Sequence, residues 1–258
     1  MTAVRSLLFN IAFFSWTTVA CIGLLWMLLL PRRQMVRVVT WYMGTIHFLE
    51  RTILGLDYEV RGRENLPKSG CFILAAKHQS AWETMKLHLL IEDPAVILKR
   101  ELLFVPIWGW YAAKARMISV DRSARGRAIA SMVEGAERVK SEGRPIVIFP
   151  QGTRTAVGRY LPYRVGVAVL YRDLDVPIVP MALNSGVYWA RRSFKKHAGK
   201  IVVEFLPPIE PGLGRDAVLA ELENKLEAAT DRLVMEAGGP PTERPVKVPR
   251  EDAAATVP

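Results

Sequence analysis

A long stretch without a charged side chain, from Leu7 to Leu30, is the feature that most limits how this chain can fold. It holds about two dozen residues, and a helix of about 20 residues spans the hydrocarbon core of a bilayer. It is longer than the apolar core of a typical signal peptide, and no small-residue cleavage pattern follows it. We therefore expect an N-terminal hydrophobic membrane helix. A shallow re-entrant helix is the rival geometry, because hydropathy does not separate the two.

Basic residues on either side of this stretch indicate its orientation. Arg32, Arg33 and Arg37 follow it, whereas only Arg5 precedes it. Since cytoplasmic flanks of membrane segments are enriched in Lys and Arg, the C-terminal side is expected in the cytoplasm. The sequence thus predicts a protein of the inner (plasma) membrane of the cell, with its main domain facing the cytoplasm.

The next segment, Gln34 to Leu56, has the pattern of an amphipathic helix that is rich in aromatic residues. Such a helix is suited to the membrane interface, although a helix that packs on a protein core gives a similar pattern. Because it follows the membrane helix, we interpret it as interfacial. Residues 1–56 then form one predicted membrane-anchoring unit.

The composition favours a membrane partner over a nucleic acid. Half of the residues are hydrophobic and the formal net charge is +10, which favours an anionic surface. No zinc-binding or RNA-binding motif is present, so we expect an anionic membrane surface and no nucleic acid. The two cysteines, Cys21 and Cys71, lack metal-ligand spacing, and neither a disulfide framework nor a metal site is expected.

Residues 57–236 alternate short apolar strands with helices, which predicts a layered α/β sheet flanked by helices. The segments that read as strands are Tyr58–Val60, Cys71–Ala76, Ala95–Leu98, Met117–Val120, Pro145–Phe149, Pro177–Leu183 and Ile201–Phe205. The segments that read as helices are Ala81–Ile91, Arg125–Ser141, Gly166–Tyr171 and Asp216–Met235. A Pro-rich, charged tail at 237–258 is expected to be disordered.

Three of these strands end in polar groups, and ligand sites of open α/β sheets collect at the carboxyl ends of strands. His78 follows the second strand, and a histidine there can take a proton from a hydroxyl. Cations that hold a phosphate come from the other two ends. They are Lys99 and Arg100 after one strand and Arg154 after the other. Gly152 and Thr153 directly precede Arg154, and Gly152 lets the backbone approach a ligand or simply makes a turn.

Glu83 has two interpretations. It lies in the first turn of the predicted helix, where its carboxylate can orient the imidazole of His78. The pair Ser80 and Glu83 also has the spacing of a capping box, in which Glu83 reaches back to the backbone of Ser80. The local sequence leaves both interpretations open.

Four blocks together resemble the membrane glycerolipid acyltransferases, the family of 1-acylglycerol-3-phosphate O-acyltransferases. Blocks in the right order are far more specific than any single one. The resemblance covers roughly Leu56 to Phe205, and its blocks are His78–Glu83, Lys99–Gly109, Phe149–Arg154 and Val176–Ala182. The chain departs from the family pattern at two positions, with Glu83 where the family usually has Asp and Gln151 where it usually has Glu.

The resemblance implies direct acyl transfer to the free hydroxyl of 1-acyl-sn-glycerol-3-phosphate, forming phosphatidic acid. His78 would be the general base and Glu83 its partner, while Lys99, Arg100 and the segment from Gln151 to Arg154 would bind substrate. Acyl-CoA or acyl-carrier protein would be the donor, a lysophospholipid the acceptor, and no cofactor is implied.

Other functions remain open at this point. Because Gln151 carries no charge, the acceptor could be another lysolipid, such as a lyso-aminolipid. A hydrolase that uses His78 to activate water is a second class, and the lack of a nucleophile-elbow motif argues only weakly against it. A non-catalytic lipid-binding module is a third.

Overall fold

The computed structural model describes residues 1–121 and 126–244. In these residues seven strands form one sheet, and all seven agree with the strands expected from the sequence. They are β1 (Leu56–Arg61), β2 (Ile73–Ala76), β3 (Ala95–Lys99), β4 (Ile118–Val120), β5 (Ile146–Ile148), β6 (Ile178–Leu183) and β7 (Gly199–Phe205).

The strand order is β1-β7-β6-β2-β5-β3-β4. Strands β4, β3, β5, β2 and β6 pair in parallel, whereas β7 runs antiparallel to β6 and carries β1 parallel to itself. The carboxyl ends of five strands therefore lie on one edge of the sheet. That edge is where the sequence placed its polar residues.

Helices cover both faces of the sheet, so the expected layered α/β fold is confirmed. The helices of the described residues are α1 (Thr2–Gly23), α2 (Arg32–Leu49), α3 (Trp82–Leu90), α4 (Trp108–Lys114), α5 (Gly126–Ser141), α6 (Gly166–Leu174), α7 (Ser185–Tyr188) and α8 (Arg215–Glu236). Residues of α5, α6 and the first part of α8 share a core with one face, whereas α1 and α3 pack on the other.

The uncharged N-terminal stretch does not form a single helix. Helix α1 ends at Gly23, and a 3-10 segment, Leu25–Leu29, leads to the turn into α2. By length and apolar composition α1 alone could cross a membrane. It lies against the protein at both ends, however: Phe9 is fully buried near its start, and Met27, just beyond its end, packs with Ala115 after α4. Helices α1 and α2 are therefore antiparallel neighbours that pack across one face of the domain.

The outer surface of this helical pair is apolar and exposed. Its large side chains have exposed fractions near or above one half: Leu7 49%, Leu8 53%, Ile11 57%, Phe14 64%, Val19 60%, Ile22 58%, Trp41 54% and Phe48 64%. Exposed apolar patches of this extent mark interaction or membrane surfaces. Helix α2 has two faces, since Met35 and Ile46 are buried against the domain.

A buried ion pair joins this helical layer to the domain. Glu50 lies in a π-helical segment after α2, and its carboxylate is 2.7 Å from Lys86 Nζ on α3. Both side chains are fully buried, and the indole N–H of Trp82 also donates to Glu50. Since α3 also carries Glu83, this ion pair connects the N-terminal helices to the helix that supports the candidate site.

The predicted disordered tail lies mostly outside the described residues, which end at Arg244. The part that is described contacts the domain: Arg244 pairs with Asp231 on α8, and the backbone N–H of Thr242 donates to the same carboxylate. The first residues after α8 are therefore held in place.

Candidate active site

His78 lies two residues beyond the end of β2, with its imidazole partly exposed at the edge of the sheet. Its backbone carbonyl accepts a hydrogen bond from the N–H of Thr155 at 2.7 Å. Thr155 directly follows Arg154, so this bond holds the segment after β5 beside the segment after β2. Two blocks that are far apart in the sequence thus meet at one edge.

The carboxylate of Glu83 is the centre of a hydrogen-bond network. Its Oε1 lies 2.8 Å from Nδ1 of His78 and accepts from the backbone N–H groups of Gln79 at 2.8 Å and Ser80 at 2.7 Å. The side chain is fully buried. One oxygen therefore caps the start of α3 and contacts the imidazole, so the two interpretations of Glu83 coexist.

Ser185 completes this network and was not expected from the sequence. Its hydroxyl donates to Oε2 of Glu83 at 2.8 Å from the first turn of α7, and both groups are fully buried. The neighbouring backbone N–H of Gly186 donates to the side-chain oxygen of Gln79 at 3.0 Å. Because both carboxylate oxygens are engaged, Glu83 cannot rotate away from His78 without losing several hydrogen bonds.

The ring of Phe149 stacks on the imidazole of His78, with the centroids 4.0 Å apart and an interplanar angle of 24°. With Nδ1 held by Glu83, the stacking fixes the ring plane. No residue in the described ranges hydrogen-bonds to Nε2 of His78. An imidazole with one nitrogen held by a carboxylate and the other free can accept a proton through the free nitrogen.

A turn after β5 presents the third block. The N–H of Gly152 donates to the carbonyl of Phe149 at 2.8 Å, and Gly152 has a φ of +70°. A Cβ there would lie 2.7 Å from Nε of Arg164, so both conformation and space favour glycine. Thr153 is half-buried, and the side chain of Arg154 is exposed at the same edge.

Gln151 is buried, only 3% exposed, and its amide nitrogen lies 3.5 Å from the carbonyl of Leu161. An amide can donate to that carbonyl, whereas the carboxylate of a glutamate can only accept. Glutamine therefore suits this contact, although at 3.5 Å it is long for a hydrogen bond. The contact also directs the side chain of Gln151 toward the loop that holds it.

The second block contributes two exposed cations at the end of β3. Lys99 is the last residue of that strand, and Arg100 forms a long ion pair of 3.4 Å with Asp121 after β4. Since β3 and β5 are neighbours in the sheet, both cations share the edge that carries Arg154. This edge of the sheet therefore carries one imidazole and three exposed cations.

Lys77, beside His78, has a different task. Its ammonium lies 2.5 Å from the carboxylate of Glu227 on α8, on the opposite face of the sheet from Glu83, and both side chains are buried. Tyr163 also donates to Glu227. Burial lowers the pKa of Lys77, although Glu227 opposes that shift. Because Lys77 is engaged in this ion pair, it is not available to bind an anion.

Comparisons with known proteins identify the family of this chain. The family described as Acyltransferase matches residues 57–184, which contain all the candidate residues named above except Ser185 and Gly186. A 1-acyl-sn-glycerol-3-phosphate acyltransferase of Pseudomonas aeruginosa is 37% identical over 202 residues, which cover 78% of this chain and 78% of that protein. A protein of the same name from Saccharomyces cerevisiae is 32% identical over 163 residues, covering 62% of this chain and 54% of the relative.

A solved structure shares the fold. The crystal structure of the 1-acyl-sn-glycerophosphate (LPA) acyltransferase PlsC from Thermotoga maritima superposes with a TM-score of 0.76, over 90% of this chain and 98% of that one, at 22% sequence identity. The fold and site thus define an α/β acyltransferase. Within that class, the chain belongs to the family of 1-acyl-sn-glycerol-3-phosphate acyltransferases.

Proposed function

We propose that this enzyme transfers an acyl group from an acyl thioester to the free hydroxyl of 1-acyl-sn-glycerol-3-phosphate, forming phosphatidic acid. The observation that carries the proposal is the imidazole of His78, whose Nδ1 is held by Glu83 and whose Nε2 is free. The names of the relatives support the substrate class.

His78 acts as the general base. Its Nε2 removes the proton of the acceptor hydroxyl as the oxygen attacks the thioester carbonyl. The tetrahedral intermediate collapses, the carbon–sulfur bond breaks, and the imidazolium returns the proton to the leaving thiolate. Glu83 stabilises the imidazolium during these steps, and Ser185 positions Glu83.

The exposed cations bind the phosphate of the acceptor. Arg154, with Thr153 and the turn at Gly152, contacts it from the end of β5, and Lys99 and Arg100 approach from β3. An arginine can bind a phosphate in bidentate fashion. We assign Gln151 to the support of this turn.

The donor is acyl-CoA or acyl-carrier protein. The membrane-anchoring unit, residues 1–56, contacts the membrane through the exposed apolar surface of α1 and α2, and residues 57–236 form the catalytic domain. Arg33 and Arg37 are exposed on α2, next to its apolar surface, which is typical of a protein on an anionic membrane surface. We place the enzyme on the cytoplasmic side of the inner (plasma) membrane.

The test is acceptor-dependent thiol release by detergent-purified protein, with acyl-CoA and lysophosphatidate. His78→Ala should lose turnover, while the matched variant His197→Ala, at an exposed histidine, should keep it. Near-normal turnover of His78→Ala contradicts the mechanism. Thiol release without any acceptor favours a hydrolase, and preference for a phosphate-free lysolipid changes the acceptor. Repeating the assay with acyl-carrier protein identifies the donor.

A further inference from the structure

A groove lies at the edge of the sheet opposite to the edge that carries His78. Its volume is about 820 Å³, and it is bounded by α2, by the loop before β2 and by the loops that lead into β3 and β5. Those loops precede the strands, whereas the candidate active site follows them. The groove is therefore separate from the catalytic centre.

The rim of the groove is basic. Arg33 and Arg37 on α2 and Lys68 in the loop before β2 line it, and all three are exposed. In residues 1–121 and 126–244, none of them forms an ion pair with a carboxylate. A cluster of cations without anionic partners repels itself and is stabilised by a bound anion.

The acidic residues that line the groove are mostly neutralised by other arginines. Asp93 pairs with Arg32 at 2.6 Å and with Arg144 at 3.3 Å, and Glu142 pairs with Arg144 at 2.9 Å. Glu92 is the one acidic residue of the lining without such a pair in the described chain. The net charge of the unpaired side chains at the rim is therefore positive.

The wall of the groove contains a buried polar atom without a partner. Nδ1 of His88, on the last turn of α3, makes no hydrogen bond within the described residues. Burial lowers the pKa of His88 to about 4, so its imidazole is neutral at pH 7 and can donate or accept a hydrogen bond. Because Nδ1 itself is buried, it lies behind the wall and is not a direct contact for a molecule in the groove.

Apolar side chains form part of the floor of the groove, and its rim adjoins the apolar surface of α2. Val36, Phe72 and Leu90 line the floor. On α2, Arg37 lies one turn before Trp41 and two turns before Gly44. The exposed Phe48 follows one turn after Gly44 on the same side of the helix. A molecule bound here would have an anionic group at the rim and apolar atoms toward the floor.

We propose that this groove binds the headgroup of an anionic phospholipid, with Arg33, Arg37 and Lys68 as ligands of the phosphate and the apolar floor in contact with its glycerol and upper acyl carbons. Charge complementarity and continuity with the membrane-facing helix support this occupant over a soluble anion. The proposal rests on the membrane contact proposed for α1 and α2. It adds a lipid site that is distinct from the acceptor site.

The experiment uses the full chain with a photoreactive benzoylphenylalanine in place of Ser69, an exposed residue of the groove. The protein is bound to vesicles of phosphatidylcholine, with or without phosphatidylglycerol, irradiated, and analysed by intact mass. We expect a phosphatidylglycerol adduct from the mixed vesicles. The same probe at exposed Ser131, on α5 at the other face of the sheet, should give none.

The double variant Arg33→Gln/Arg37→Gln should reduce this adduct about tenfold or more, since each basic residue near an anionic surface contributes to binding. A matched double variant, Arg138→Gln/Arg172→Gln, removes two charges from the far face and should leave the adduct unchanged. Acyl transfer in detergent, measured on each variant, shows that the fold is intact.

Several outcomes would overturn the proposal: an undiminished adduct in Arg33→Gln/Arg37→Gln, equal labelling by phosphatidylcholine, or loss of the adduct on addition of excess inorganic phosphate, which indicates a free-ion site. Flotation of each sample with the vesicles measures membrane binding by itself. It therefore distinguishes failure of the lipid site from failure of the proposed membrane contact of α1 and α2. Protein that floats without forming the adduct contradicts the lipid site alone, whereas protein that does not float contradicts the membrane contact as well.

Discussion

Replacing Glu83 by glutamine tests the central contact of the candidate site. Glutamine keeps the size of the side chain, so its amide oxygen can accept from His78 and the backbone N–H groups, and its amide nitrogen can donate to the hydroxyl of Ser185. The geometry and the tautomer of His78 are thus retained. The change removes only the negative charge beside the imidazolium that forms during proton transfer.

The structure sets the size of the effect. A carboxylate and an imidazolium at the observed 2.8 Å attract each other by about 6 kcal/mol at an effective permittivity of about 20. If the imidazolium carries about half of its charge in the transition state, the loss is about 3 kcal/mol, or about 100-fold in kcat. The KM for the lysolipid should change little, because Glu83 does not contact the acceptor.

The assay is thiol release under saturating donor and acceptor. Glu227→Gln is the matched control, because Glu227 is also a buried glutamate in an ion pair, but with Lys77 on the other face of the sheet. A kcat for Glu83→Gln within about threefold of wild type would refute the role of the charge. An equal loss in both variants, with a lower melting temperature in each, would show that the effect is general destabilisation.

Four further predictions concern other residues. Arg154→Gln should raise the KM for lysophosphatidate at least about tenfold and leave the KM for the donor unchanged, which steady-state kinetics will measure. Gln151→Glu should lower the free energy of unfolding by about 1–3 kcal/mol at pH 8, because a carboxylate then faces the carbonyl of Leu161; chemical denaturation checks this. Glu50→Gln should cost about 3–5 kcal/mol, visible as a lower melting temperature, since its buried partner loses its counter-charge. The pKa of His88 is about 4 in the folded state, against an ordinary value of 6.5, so the unfolded chain alone takes up this proton between those values. Stability should therefore fall by up to about 3 kcal/mol as the pH drops through this window, and His88→Gln should remove this part of the slope in denaturation measured at several pH values.

The sheet was predictable because its signals are local. A buried strand of a parallel sheet is a short apolar run, and here most of the runs are bounded by Gly, Pro or charged residues. β5 shows this well, since Pro145 precedes it and Pro150 follows the strand and Phe149. The hydrophobic pattern alone therefore indicates the seven strands, and their carboxyl ends indicate the edge where the site lies.

Two helices were not predicted from the sequence, and each has a physical reason. Helix α4 is short, and two of its residues, Trp108 and Trp110, are exposed, so it lacks the one-sided pattern of a core helix. Helix α7 has four residues, and its polar contacts are with Glu83 and Gln79, more than 100 positions away. Since tertiary contacts hold it, Ser185 had no signal in its neighbourhood in the sequence.

The N-terminal stretch shows where hydropathy reaches its limit. An uncharged run indicates that a segment prefers an apolar environment. A helix that spans the membrane and a helix that lies on it share this preference, so hydropathy does not distinguish them. What separates them is polar contact with the rest of the chain. Lys196 supplies it: its ammonium donates to Asn10 at 2.8 Å and lies 4.8 Å from the ring of Trp189, and its backbone N–H donates to Ser6. Asn10 and Ser6 are more than 180 positions from Lys196, so only the fold reveals that α1 is held along the domain.

Glu83 carries this argument to the site itself. Capping of α3 and orientation of His78 seemed to be competing roles because each needs the carboxylate in a defined place. In the structure the capping contacts fix the position of the carboxylate, because the N–H groups of Gln79 and Ser80 donate to the same oxygen that contacts Nδ1 of His78. The helix start thus preorganises the carboxylate before any substrate binds. A residue with a local structural role can therefore also have a chemical one, and only the second needs the charge that glutamine lacks.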